Sequence, residues 1–216
     1  MSGKKIDIFL DIPSFFSFVA VEDVIQNLNL LTANGVEVEF HPVLLGGINN
    51  ASGNRPPWTL EAKANYLKRP HELVAHHLPL RALHYIKANY PPSTFLSALH
   101  TLFHKFWMRG SVNITKDDVL RDVLLNATEK PDGGKKLFTS QGVDEIMAGR
   151  AAMKDALKES TGRAIKLGAF GAPWIWARNA QGVEEPFFGS DRFNHIYRFL
   201  DLPFQDVKVL PPKSKL

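Results

Sequence analysis

The 216-residue chain contains no cysteine. That absence removes disulfides, thiol nucleophiles, thiolate metal sites and iron–sulfur clusters together. Any sulfur chemistry must therefore arrive with a ligand. Long apolar runs are also missing. No stretch reaches the roughly 18 uninterrupted apolar residues of a membrane span, and the opening MSGKKIDIFLDIPS lacks the apolar segment of a signal peptide. The expected setting is an aqueous compartment, with no membrane span. Charge of one sign is nowhere concentrated. The net charge is +4, but its lysines and arginines stand in scattered pairs (Lys4–Lys5, Lys68–Arg69, Lys135–Lys136). That favours small anions over nucleic acid as partners. What remains is an ordinary globular composition, 44% hydrophobic and 22% charged, with chain enough for one large domain or one domain inserted in another.

Residues 4–12 alternate, with Ile6, Ile8, Leu10 and Ile12 on one face, the period of a strand. After Pro13-Ser14, apolar residues at Val21, Val24, Ile25, Leu28 and Leu31 follow helical spacing up to Asn34-Gly35, a C-cap. VEVEFHPVLL (36–45) alternates again, so the chain opens β-α-β with a parallel pair. GGINNASGNRPPW (46–58) reads as loop. From Thr59, with Glu61 in the following turn, to about residue 160, only helices are expected. The clearest carries Phe95, Leu96, Leu99, Leu102, Phe103 and Phe106 as a stripe for the core or for a dimer interface, with Trp107 and Trp58 as candidate borders of an apolar pocket. Thr115 and Asp118 resemble a capping box, and Ser140 or Asp144 opens the last helices of the block. From 168 the pattern is strand again: WIWA and EEPFF flank RNAQG as a hairpin, and Ser190-Asp191-Arg192 begins a helix through Leu200. The order predicts an α/β fold of thioredoxin type, segments 1–58 and 161–216, around an all-helical insertion of 59–160.

In DIPSFFSF a strand meets a helix at Ser14 and Ser17, where thioredoxin-like redox proteins carry Cys-x-x-Cys. One serine can cap the helix. A serine hydroxyl and the positive helix end can also lower the pKa of an incoming thiol, ordinarily near ~8.5. Ala172-Pro173 precedes the hairpin strand. It is either a loop proline or, in a thioredoxin-type topology, a cis bend that offers the backbone of Ala172 to a peptide ligand. Ser190 and Asp191 are either an N-cap or a pair that holds the carboxylate and ammonium of one amino-acid end, and Asn54 with Arg55 could hold another end. His100-x3-His104 has metal-binding spacing, but Thr101 stands where a zinc-protease motif has Glu and no third ligand is evident, so no metal is expected. The terminal Ser214-Lys215-Leu216 reads as the address for the peroxisomal import receptor.

Taken together, DIPSFFSF, SGNRPPW, HKFWMRGSVNIT, LGAFGAPWI and FFGSDRF resemble a kappa-class glutathione transferase. That class is a branch of the thioredoxin superfamily related to DsbA-like proteins and to 2-hydroxychromene-2-carboxylate isomerases. The resemblance implies a DsbA-like topology, a homodimer, glutathione as cosubstrate, and conjugation to apolar electrophiles or reduction of peroxides. Carried over by position, it makes Ser14 the residue that stabilises the glutathione thiolate. Phe15 and Phe16 line the thiol, Asn54 meets the glycyl side, Ala172 before Pro173 pairs with the cysteinyl backbone, and Ser190 with Asp191 holds the γ-glutamyl end. The family's usual Ser-Pro-Tyr-Ser-Trp is altered here. The proline precedes Ser14, and Phe15, Phe16 and Phe18 replace Pro, Tyr and Trp. A glutathione-dependent isomerase and a catalytically weak glutathione-binding module are the alternatives.

Overall fold

A computed structural model of the chain describes residues 3–55, 59–62, 65, 77–108, 112–130, 133–205 and 208–212. Trp58, Lys68–Arg69 and Ser214-Lys215-Leu216, named above, lie outside them. Strand β1 (Lys4–Leu10) runs parallel to β2 (Val36–Pro42) and antiparallel to β5 (Trp174–Arg178), which pairs antiparallel with β6 (Glu184–Phe188). The four-stranded order is β2-β1-β5-β6. The alternation in β1 identifies only one of its buried faces. Ile6, Ile8, Leu10 and Ile12 join the main core, while Phe9, on the other face, joins Val43, Ile48, Ala164, Ala169 and Trp174. Fully burying a side chain such as Phe9 contributes about 2 kcal/mol. Both faces of β1 are covered, which makes it the central strand in packing as well as in order.

Helix α1 (Phe15–Ala33) crosses between β1 and β2, and Gly35 takes the left-handed φ of 72° that its exit requires. The stretch expected as loop instead opens with α2 (Leu45–Ser52), closed by Gly53 in the left-handed region. Its Gly and Asn residues are poor helix formers, and packing overrides them. Leu45 and Ile48 are buried, and Gly47 lets the backbone come so close to Thr161 that an added Cβ would sit 3.2 Å from that side chain.

Helices α3 (His77–Asn89), α4 (Pro92–Trp107), α5 (Asp117–Leu125), α6 (Ser140–Gly149) and α7 (Lys154–Lys166) form the block between α2 and β5. The block is not purely helical: β3 (Thr128–Lys130) and β4 (Gly133–Lys136) make a short exposed hairpin. No capping box opens α5. Thr115 bonds to Asn113, and Lys116 stands at the cap without a side-chain bond. Thr139, not Ser140 or Asp144, caps α6. The α4 stripe is core as expected, with Phe95, Leu99, Leu102, Phe103 and Phe106 buried in the cluster that also holds the β1 residues. Helix α8 (Phe193–Phe199) and a two-residue pairing of β7 (Phe204–Gln205) with β8 (Lys208–Val209) end the fold.

Candidate active site

Ser14 combines two roles that the sequence leaves divided between two serines. Its Oγ accepts the Ser17 amide at 3.1 Å, so it is the N-cap of α1. The same hydroxyl donates to the carbonyl of Ala172 at 2.8 Å. Ser17 is fully buried and its Oγ has no partner among the described residues. Two contacts fix the approach to the cap: the Ser14 amide turns back onto the Asp11 carbonyl at 3.1 Å, and Trp107 Nε1 donates to the Ile12 carbonyl at 2.8 Å. Phe15 packs edge-on against Trp107 at 5.3 Å. The first turn of α1 carries no acidic residue, so its positive end is not neutralised from within the helix.

The segment 170–173 brings Asn54 and Ser14 together and is tied to Gly189, the neighbour of Ser190. Ala172-Pro173 is a cis peptide. Asn54 Nδ2 donates to the Phe170 carbonyl at 2.6 Å, Ser14 holds the next-but-one carbonyl, and the Gly189 amide donates to the Pro173 carbonyl at 3.2 Å. Three successive contacts thus tie the loop after α2, the tip of α1 and the end of β6 to one short strand entrance. Asn54 also accepts the Arg55 amide at 2.8 Å. The Ala172 amide makes no hydrogen bond among the described residues.

Ser190 and Asp191 do not cap the last helix. It begins at Phe193 with Arg192 at the cap position and no side-chain cap bond. Ser190 is half-buried and Asp191 exposed, with an ion pair to Arg192 at 3.5 Å. Gly189 permits this turn: its φ is 97°, and a Cβ there would meet Asp191 Oδ1 at 2.8 Å. The rim is aromatic. Phe16, Phe170 and Phe188 are large exposed apolar side chains, and Phe170 lies 4.5 Å from Phe188. A Cβ on Gly171 would strike the Phe188 ring at 2.7 Å, so that glycine keeps the rim closed around the segment.

One residue beneath the site has no place in the motif reading. Asp11 is fully buried at the end of β1; its Oδ2 accepts the Leu45 amide at 2.8 Å, and Oδ1 has no partner among the described residues. Burial pushes its carboxyl up to about 7, against the pull of the Leu45 and Ile12 amides. The sequence does carry a signal for it, a lone carboxylate inside the apolar run IFLDI.

The arrangement offers a hydroxyl donor at a helix N-terminus, a backbone edge for a peptide, an exposed carboxylate at Asp191, and an apolar rim. A family model described as a DSBA-like thioredoxin domain matches residues 5–201. "Glutathione S-transferase kappa 1" of Caenorhabditis elegans is 28% identical over 98% of each chain, and the Homo sapiens protein of the same name is 29% identical over 91% of each. Among solved structures, a 2-hydroxychromene-2-carboxylate isomerase superposes with a TM-score of 0.65 at 17% identity, covering 91% of this chain and 94% of that one.

Proposed function

The chain belongs to the DsbA-like thioredoxin family, and we propose that within it the protein is a kappa-class glutathione transferase whose thiol chemistry is centred on Ser14. The observation that carries this reading is the Ser14 hydroxyl on the Ala172 carbonyl at the uncompensated end of α1. In a chain without cysteine, the family's redox position holds a donor. When glutathione enters, the hydroxyl rotates from Ala172 to the sulfur while its lone pair keeps the Ser17 amide. The released carbonyl and the Ala172 amide then pair with the cysteinyl unit as an added strand would. Asn54 keeps the glycyl side near Phe170, and Ser190 with Asp191 takes the γ-glutamyl end. The thiol proton passes to solvent, and the thiolate is favoured by the hydroxyl and the helix end. It attacks either an electrophilic carbon, expelling its leaving group, or a peroxide oxygen, breaking the O–O bond to give an alcohol and a glutathione sulfenic acid. A second glutathione converts the sulfenic acid to the disulfide with loss of water. Either substrate enters along Phe16, Phe170 and Phe188. Segment 59–160 is the insertion that walls this pocket. A homodimer and peroxisomal delivery through Ser214-Lys215-Leu216 belong to the same proposal and are tested by light scattering and by imaging a tagged chain.

Ser14→Ala tests the centre. Affinity for S-methyl glutathione should stay within a few-fold, and the pKa of the bound glutathione thiol, followed by thiolate absorbance, should rise by about one unit. An unchanged thiol pKa, or a wild type that binds no glutathione, would overturn the reading. Glutathione consumption separates the neighbouring chemistries. Conjugation or peroxide reduction consumes it, reversible addition to an isomerising aromatic substrate does not, and tight S-alkyl glutathione binding without turnover would leave a binding module.

A further inference from the structure

We infer that Glu22, His100 and His104 form a divalent-metal site, suited to zinc, that clamps α1 against α4. His100 and His104 are one helical turn apart and project from the same face of α4. Helix α1 lays Glu22 across that face. His100 Nε2 stands 2.6 Å and His104 Nε2 3.2 Å from the same oxygen, Glu22 Oε1, and the two rings meet edge to face at 4.6 Å. This third side chain, 78 positions from His100 in sequence, is what the sequence reading lacked.

Two imidazoles and a carboxylate are a donor set that zinc accepts, with the fourth position left to water. Ligand atoms around tetrahedral zinc lie about 3.3 Å apart at ordinary bond lengths. His104 already has that separation from Glu22, and His100 would need to withdraw by only about 0.7 Å. Side-chain exposures of 15%, 26% and 28% for His100, His104 and Glu22 leave an entry path and room for the water.

The charge balance points the same way. A second cluster, Asp7, Glu39 and His41, has similar donors, but Lys5, Arg163 and Lys87 already pair with its carboxylates. Among the described residues no lysine or arginine pairs with Glu22, so a cation has a carboxylate to neutralise. Glu22 lies eight residues beyond Ser14, about 12 Å along the helix, which makes the site structural. Its effect is to fix α1, since Phe18 sits edge-on to His104 at 5.7 Å and Phe15 packs on Trp107 one turn further. The inference is independent of the glutathione reading.

The test is a titration of the untagged full chain, stripped with a chelator, with Zn²⁺ in competition with a chromophoric chelator. One tight site is expected, with a higher thermal midpoint in zinc than without it and a tetrahedral visible spectrum when Co²⁺ replaces Zn²⁺. His104→Ala and Glu22→Gln should each weaken binding at least about tenfold, with circular dichroism unchanged. A wild type that takes up no zinc would overturn the proposal, as would equal affinity in His100→Ala/His104→Ala. Should that double variant not fold, Glu22→Gln, which keeps the shape and a hydrogen-bonding side chain, decides: undiminished affinity there also overturns it.

Discussion

Strand β1 and the residue that follows it bury two carboxylates four positions apart, Asp7 and Asp11, and they reach opposite states. Asp7 meets His41 at 2.6 Å, Arg163 at 3.0 Å and Lys5 at 3.5 Å. Burial alone would raise its carboxyl, but the His41 hydrogen bond and the charges of Arg163 and Lys5 hold it below the usual carboxylate range. The imidazole itself is driven toward the neutral form by burial, and Lys87 reinforces this from 3.5 Å at Nδ1. Asp11 receives only backbone amides and is pushed up to about 7 by burial. Residue type is shared and both side chains are buried, but Asp11 lies just past the strand, is the more fully desolvated and has no cation beside it among the described residues: amide dipoles offset only part of its desolvation, whereas the His41 hydrogen bond and fixed cations offset more than all of that of Asp7. The poorly compensated member is the one beside the candidate site. The Asp11 carbonyl holds the Ser14 amide, so ionisation of Asp11 and of a thiol at Ser14 oppose each other.

The largest predicted effect follows from that poor compensation. The folded-state value of about 7 lies above the ordinary 3.8, so the native chain binds an extra proton between these limits. Stability from this group is therefore full below pH ~4, falls as pH rises through the window, and is flat above ~7. The loss amounts to about 4 kcal/mol. Asp11→Asn, which keeps an acceptor for the Leu45 amide, should remove that slope in urea unfolding measured from pH 4 to 8. Its bound glutathione thiol should also titrate lower than in the wild type. A variant with the wild-type slope would break the comparison.

Asp7 gives the second effect. Asp7→Ala leaves Arg163, His41 and Lys5 without their shared carboxylate, and removing one partner of a buried ionic network costs about 3 kcal/mol. A shift of the urea midpoint at constant m-value measures it. A loss below about 1 kcal/mol would mean the network is worth no more than a surface ion pair.

The contrast also marks what was legible in the sequence. Strand β1, helix α1, strand β2 and the β5–β6 hairpin could be read because each carries its period over five or more residues with an end signal, such as Asn34-Gly35. Ser14, Asn54, Ala172 and Ser190 could be singled out as candidates because a motif fixes their order along the chain. Helix α2 was not, since Gly46, Gly47, Asn49 and Asn50 argue against a helix that packing on Phe9, Trp174 and α7 stabilises. The β3–β4 hairpin is too short and too exposed to carry a pattern. Asp7 and Asp11 look alike in KKIDIFLDI. Their states depend on Arg163, His41 and the Leu45 amide, which arrive from elements 34 to 156 positions away. The same holds for Glu22, whose partners lie on another helix.

The smallest effect sharpens the comparison most. Arg163 is half exposed, so its pair with Asp7 is screened, yet its guanidinium also lies over the Phe9 ring at 5.2 Å. Arg163→Met keeps an apolar stem on Phe9 and removes only the charge, and should cost about 1 kcal/mol. If the stabilisation is shared between the His41 hydrogen bond and the charges of Arg163 and Lys5, the Asp7 carboxyl, followed by NMR, should move up only slightly and stay well below the position of Asp11. If it rises as far as that of Asp11, a single cation separates the two carboxylates, and the remaining hydrogen bonds of Asp7 are then no stronger than the amides of Asp11 in holding a buried charge.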